Sequence, residues 1–351
     1  MNTKNRIADL DILKGIAIFL VVMGHVIGIC IRDIDSCIAF KIIGQVHMPI
    51  FFFISGWFSL KIADGKLASP KLGKRFKQLI IPFFVVSSIW IIYFNHSGLK
   101  SPLSNSIPQM LTTYWKDGYW FTLALFEIIC LYWLITKINF RQNKTIYTIL
   151  ISLVIYLGLI YLEPRISNEA ENFDPAGIGL LRTFFPIFIF GVICRQNEEL
   201  FRKLSTNSIV FAIAIIIGGI TWYYNAYWWE FPNIPDKAAL IIKPLFQMCL
   251  LTAIFGLIYK IRESSKIETK TNFIQKYFIY LGNESLGIYL LHYFFLFPLT
   301  ILQAPLREMS LAFAPTATIA AIVAFIIIAL TLGANYIISK NKILSFLILG
   351  K

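Results

Sequence analysis

A chain whose apolar residues come in blocks of about 20 has few folds open to it, because in hydrocarbon each backbone N–H and C=O must be paired within its own segment, which favours the helix. Ten such blocks can be marked along these 351 residues, at 10–30, 42–60, 78–94, 119–136, 145–162, 180–194, 208–224, 238–259, 278–297 and 316–338. The expected fold is therefore all-α, a polytopic membrane protein of about ten transmembrane helices. The first block has a short basic lead, Lys4 and Arg6, as a secretory signal would. However, Asp9, Asp11 and Lys14 interrupt it and GICIRD follows it without a small-residue cleavage site, so it is expected to remain as the first span.

Composition removes the soluble classes, since 57% of residues are hydrophobic, 16% are aromatic and the mean hydropathy is +0.69. The net charge of +13 is distributed as an orientation signal and requires no nucleic-acid partner. With the N-terminus inside, the loop from Lys61 to Lys77 carries Lys61, Lys66, Lys71, Lys74, Arg75 and Lys77 against Asp64 alone. The groups Lys137, Arg141, Lys144 and Arg195, Arg202, Lys203 fall on the same side, as do five basic residues from Lys260 to Lys276. About 23 of the 32 Lys and Arg lie inside, whereas the outer loop 163–174 holds Glu163, Glu169, Glu171 and Asp174. The positive-inside rule then puts both termini in the cytoplasm.

Without an internal repeat or a long soluble insertion, residues 1–351 are expected to form a single membrane domain, with no appended hydrolase-like domain to handle an acceptor. The five cysteines contain no C-x-x-C, and only Cys30 and Cys37, both outside, are placed to pair. The tail from Lys340 to Lys351 contains ILSFLILG, too short to span and suited to the inner interface.

Function should show where ionisable groups enter the bilayer, since each costs several kcal/mol unless paired or wet. His25 follows Lys14 by eleven residues, about 16 Å along a helix and about 20° around it, so both face one column of the bundle. A snorkelling anchor would explain Lys14 alone, and an interhelical hydrogen bond would explain His25 alone. The chain has four histidines, and in this topology His25, His47, His96 and His292 all fall in the outer half, with Glu127 and Glu284 as intramembrane carboxylates. A polar chamber of this kind suits proton-transfer chemistry or a proton path. A metal site is the weakest reading, because no His-x3-His or similar spacing occurs, and none is expected.

Five segments carry a more specific pattern: LDILKGIAIFLVVMGH at Leu10 to His25, HMPIFFFISGW at His47 to Trp57, KRFKQLIIPF at Lys74 to Phe83, YWFTLALF at Tyr119 to Phe126, and ESLGIYLLH at Glu284 to His292. In this order the chain resembles acyltransferase family 3, integral-membrane acyltransferases of bacteria that commonly modify surface glycans. The likeness covers the first 130 residues and about 280–293. It implies a multi-pass protein of the bacterial cytoplasmic (inner) membrane, with acyl-CoA, usually acetyl-CoA, as donor and no tightly bound cofactor. The acceptor would be a hydroxyl presented from the outer side or within the membrane. Lys14 and His25 occupy the family's basic-x10-His positions. Its basic pair before the proline of the third helix falls on Arg75 and Gln78 or on Lys74 and Lys77, and in the first register the second basic residue is absent.

The residues suit that chemistry. Lys71, Lys74, Arg75 and Lys77 could grip the donor's phosphates, with Asp11 fixing Lys14 one turn away, although orientation alone would also account for the basic cluster. His25 can take a hydroxyl proton as general base, or form a transient acyl-histidine. Glu127 or Glu284 could orient an imidazole or tune its pKa, with His47 and Glu284 expected on the acceptor side. The stretch WYYNAYWWEF, Trp222 to Phe231, suits an interfacial aromatic belt or a stacking platform for a sugar.

The expected function is thus an O-acyltransferase, in the first place an O-acetyltransferase, acting on a glycan or lipid-linked sugar, with His25, Lys14, Glu127 and His292 as catalytic candidates and lipid as its surroundings. The alternative is a proton-coupled transporter or exporter of a polar solute or lipid-linked saccharide, although no inverted repeat is visible. A sensor or scaffold has only Gln78 in its favour.

Overall fold

The structure, a computed structural model, describes residues 3–31, 37–63, 66–96, 108, 110–138, 144–168, 171–226, 236–264, 273–302 and 313–351. Its principal helices in chain order are α1 (Thr3–Val26), α2 (Ile38–Ser59), α3 (Leu72–His96), α4 (Trp120–Lys137), α5 (Lys144–Ile166) and α6 (Ile178–Gln196). They continue with α7 (Glu198–Thr206), α8 (Ser208–Ala226), α9 (Asp236–Ser264), α10 (Phe273–Asn283), α11 (Ser285–Leu296) and α12 (Phe313–Ser339). Among the described residues eight helices are long and apolar enough to span, and α7 with the first part of α8 makes a ninth, bent by 80°. The chain is an all-helical, multi-pass membrane protein. Between α2 and α3 lies a two-residue antiparallel ladder, Ile62 opposite Leu67.

The peripheral helices present apolar side chains outward. Val154 on α5 is 69% exposed and Ile209 on α8 is 71% exposed. In water such faces would be aggregation sites, and against lipid they cost nothing. Inside, the core is aromatic: Phe52 of α2 stacks on Phe184 of α6 at 4.5 Å and 13°, and Phe53 reaches Phe255 of α9 at 4.8 Å. Lipid is as apolar as these side chains, so close packing rather than burial from water must hold the helices together.

Three departures from the sequence pattern bear on function. First, α3 starts at Leu72, so Lys74, Arg75 and Lys77 belong to the same helix as Gln78 rather than to the preceding loop. Second, the seventh block is preceded by a bend at Asn207, whose side chain accepts from the Ile209 and Val210 amides and starts α8 anew. Third, the ninth block is not one straight span. A Cβ on Gly15 would meet the Phe278 carbonyl, and one on Gly282 would meet the Asp11 carbonyl. These pairs set α10 antiparallel to α1 at a separation only glycine permits. At Glu284 the chain turns back, and α11 runs beside α1 in the same direction until His292 reaches His25.

The tail turns over Lys342–Leu349 and folds onto α3, where Gly350, at φ +65, lies against the Gln78 carbonyl. Cys30 and Cys37 are both buried, free thiols.

Candidate active site

His25 stands at the C-terminal end of α1, and α11 supplies the groups around it. Its ring lies nearly parallel to that of His292, 5.1 Å between centroids, with His25 Nδ1 2.8 Å from His292 Nε2. His292 Nδ1 lies 2.7 Å from the Tyr289 carbonyl and 3.0 Å from that of Ile288. A carbonyl only accepts, so His292 Nδ1 carries the hydrogen and His292 Nε2 is left as an acceptor. His25 Nδ1–H must then donate to it, which puts the lone pair of His25 on Nε2. The hydroxyl of Tyr293, 3.1 Å away, donates to that nitrogen. Four distances thus fix one basic nitrogen and its tautomer, as a carboxylate does behind the histidine of a hydrolase triad.

The turn before α4 packs against Tyr289 and Tyr293 of α11. Tyr289 donates its hydroxyl proton to the Gly118 carbonyl at 2.8 Å and accepts from the Phe121 amide at 3.1 Å. Gly118 has φ +92, and a Cβ there would fall 2.5 Å from the Tyr293 hydroxyl. Lys116, itself at φ 46, is 1% exposed and donates to the Leu111 carbonyl at 2.7 Å and to the Asp174 carbonyl. Burial pushes the Lys116 ammonium down from its usual range, while Asp174 and Glu127 pull it back up. The carboxylate of Asp174 caps α6 by accepting from the Ile178 and Gly179 amides at 2.9 and 3.0 Å. This left-handed turn is anchored to α6 through the buried Lys116, and it carries strain of the kind that accumulates at functional sites.

At the other end of α1, Lys14 Nζ pairs with Asp11 at 2.6 Å. Lys14 also lines a cavity of about 220 Å³ with Val21, Ser55, Arg75, Phe121 and Tyr289. Val21 is one helical turn below His25, so the cavity runs from the basic end to the floor of the histidine cluster. A second cavity of about 350 Å³ is walled by Ser59, Lys61, Lys71, Lys74, Arg75 and Gln78. Arg75 lines both cavities and reaches Gln78 Oε1 at 3.4 Å. Lys77 is exposed and is in neither wall.

The sequence candidates therefore separate. Lys14, Asp11, Arg75 and Lys74 gather at the basic end, and His25 and His292 at the other. His47 is within electrostatic reach of His25 and its Nδ1 donates to the Ile43 carbonyl at 2.6 Å. Glu127 lies near Lys116 and against Gly177, and its Oε2 has no hydrogen-bond partner among the described residues. Glu284, expected on the acceptor side, is corrected to the basic end: the reversal after Gly282 places it opposite Lys351, whose Nζ is 2.7 Å from both carboxylate oxygens. The side chain of His96 and residues 227–231 of the aromatic stretch lie outside the described residues. Tyr293, Gly118 and Lys116 were not singled out by the sequence. Tyr293 sits in an unbroken aromatic run, and for the other two the Lys-Asp-Gly turn pattern is the signal that could have found them.

A family model described as an acyltransferase domain matches residues 7–334. Among curated proteins, the nodulation protein NolL of Sinorhizobium fredii is 29% identical over 208 residues, covering 56% of this chain and 50% of that protein. The nodulation protein NolL of Mesorhizobium japonicum is 31% identical over 144 residues, 39% of this chain and 38% of that protein. The chain spans half or less of the length of these relatives. No solved structure matches.

Proposed function

We propose, from the premise that this chain belongs to the acyltransferase family, that it transfers an acyl group, in the first place acetyl, from cytoplasmic acyl-CoA to a hydroxyl of a surface glycan or lipid-linked sugar, within a bacterial inner membrane. In this reading both termini and the Lys14 end face the cytoplasm, as the Lys and Arg asymmetry favours. The donor's phosphates rest on Lys71, Lys74 and Arg75, and Lys14 neutralises charge at the mouth of the inner cavity. The pantetheine arm follows that cavity towards Val21 and Tyr289. The acceptor oxygen attacks the thioester carbon as its proton passes to His25 Nε2, the C–S bond breaks, and the CoA thiolate takes the proton back. His292 holds the imidazole in the tautomer this requires and shares the positive charge that forms on it.

The observation that carries this reading is the single basic nitrogen on His25, above a cavity whose opposite end is cationic. Mass spectrometry of surface glycans from cells with and without the protein tests it: an acyl-sized mass difference is expected, and identical glycans together with solute uptake would contradict it. A cysteine introduced at Lys66 should resist an impermeant reagent in intact cells, and labelling there would overturn the orientation.

A further inference from the structure

The basic nitrogen of His25 is already occupied. Its partner is the Tyr293 hydroxyl, at 3.1 Å, and Tyr293 is held by four rings: His292 at 4.3 Å, His25 at 4.9 Å, Tyr119 at 5.6 Å and Trp90 at 5.8 Å. It is 8% exposed. Swinging this side chain aside for an incoming hydroxyl would dislodge packing on every face of the ring. Its hydroxyl points at the Gly118 turn, where the missing Cβ leaves the oxygen room. That turn joins α4 at the end away from Lys14, the side from which the acceptor arrives in the function proposed above, on which this inference rests.

We infer that Tyr293 is a proton relay: the acceptor hydroxyl bonds to the Tyr293 oxygen rather than to His25. As the acceptor oxygen forms its bond to the acyl carbon, its proton moves to the Tyr293 oxygen and the Tyr293 proton moves to His25 Nε2. The C–S bond breaks, and the CoA thiolate recovers a proton from His25 along the same path. Thioester and alcohol become ester and thiol, with no change of oxidation state. His25 remains the base, but it acts through the phenol. Tyr293 then also defines where the acceptor hydroxyl sits, against the backbone of the 116–118 turn.

Tyr293→Phe keeps the ring and removes the relay. With labelled acetyl-CoA and purified protein in liposomes, kcat should fall about 10²-fold or more, the magnitude typical of lost proton transfer, while acetyl-CoA binding stays within about twofold of wild type. Intact donor binding also shows that the variant is folded. Replacing Tyr293 by 3-fluorotyrosine, whose phenol is more acidic, should shift the pH profile of kcat to lower pH, which a purely structural role would not do. Wild-type kcat in Tyr293→Phe alongside an inactive His25→Ala would overturn the relay and leave His25 as a base acting directly. An inactive Tyr293→Phe with an unmoved fluorotyrosine profile would reduce Tyr293 to a packing residue. Full activity in both Tyr293→Phe and His25→Ala would overturn the relay together with His25 as base, whereas no acetyl transfer by the wild-type protein would overturn the proposed function itself.

Discussion

At one end of α1, Lys14 keeps 23% of its side chain exposed and relies on an acid one turn away, whereas at the other end both nitrogens of His25 are bonded and His292 is fully buried. Lys71 and Lys74 around the outer cavity are exposed as well. Flexible, wet cations act as a field: they attract phosphate from several directions and do so less when salt screens them. The histidine cluster is partly to fully buried and geometrically determined, so its worth lies in one lone pair pointing one way. The difference predicts two classes of variant. Changes at the basic end should alter affinity and salt dependence, and changes at the histidine end should alter turnover with affinity preserved.

Among the groups that position His25, the largest effect is expected from His292→Phe, which leaves His25 Nδ1–H without its acceptor and frees the tautomer: kcat should drop about 10²-fold or more, with the acetyl-CoA dissociation constant little changed. His292→Gln, which can place an acceptor oxygen near the same position, should recover part of that loss, and equal losses in both would break the tautomer assignment. Gly118→Ala comes next. Its Cβ would collide with the Tyr293 hydroxyl and its backbone would be held at an unfavourable φ, so kcat should fall about tenfold while the donor still binds.

At the basic end, Lys74→Gln with Arg75→Gln should raise the acetyl-CoA dissociation constant about tenfold at low salt and by less at high salt. Lys77→Gln should leave it unchanged, because that side chain lines neither cavity. If Lys77 mattered as much as Arg75, net charge rather than the shape of the cavity would govern binding. The smallest effect belongs to Glu284→Gln. Its pair with Lys351 is partly exposed, at 22% and 43%, so kcat and the dissociation constant should both stay within about threefold of wild type.

The two ends were unequally legible in the sequence. Lys14 and His25 share a face because helical rise and twist alone put them there, and nothing tertiary is needed. The choice between Arg75 and Lys77 was not present in the periodicity, since Arg75 and Gln78, and Lys74 and Lys77, are both three residues apart, and the cavity wall, which includes Arg75 and Gln78 but not Lys77, decides it. Glu284 was misplaced because a hydropathy block does not record a reversal. The break at Gly-Asn-Glu-Ser was visible as a polar interruption, but its geometry depends on Gly282 meeting the Asp11 carbonyl, 271 positions away in the chain. Tyr293 was hidden for another reason. One tyrosine in an aromatic run has the same periodicity as its neighbours, and what sets it apart is an approach to His25 that exists only once α11 has folded back.

The division between a binding end and a chemical end is tested most directly by titrating acetyl-CoA into purified His25→Ala while following acetyl transfer by the same sample. The expected result is a dissociation constant within about twofold of wild type with transfer reduced by about 10²- to 10⁴-fold. Loss of donor binding in a folded His25→Ala, or transfer at the wild-type rate, would contradict it.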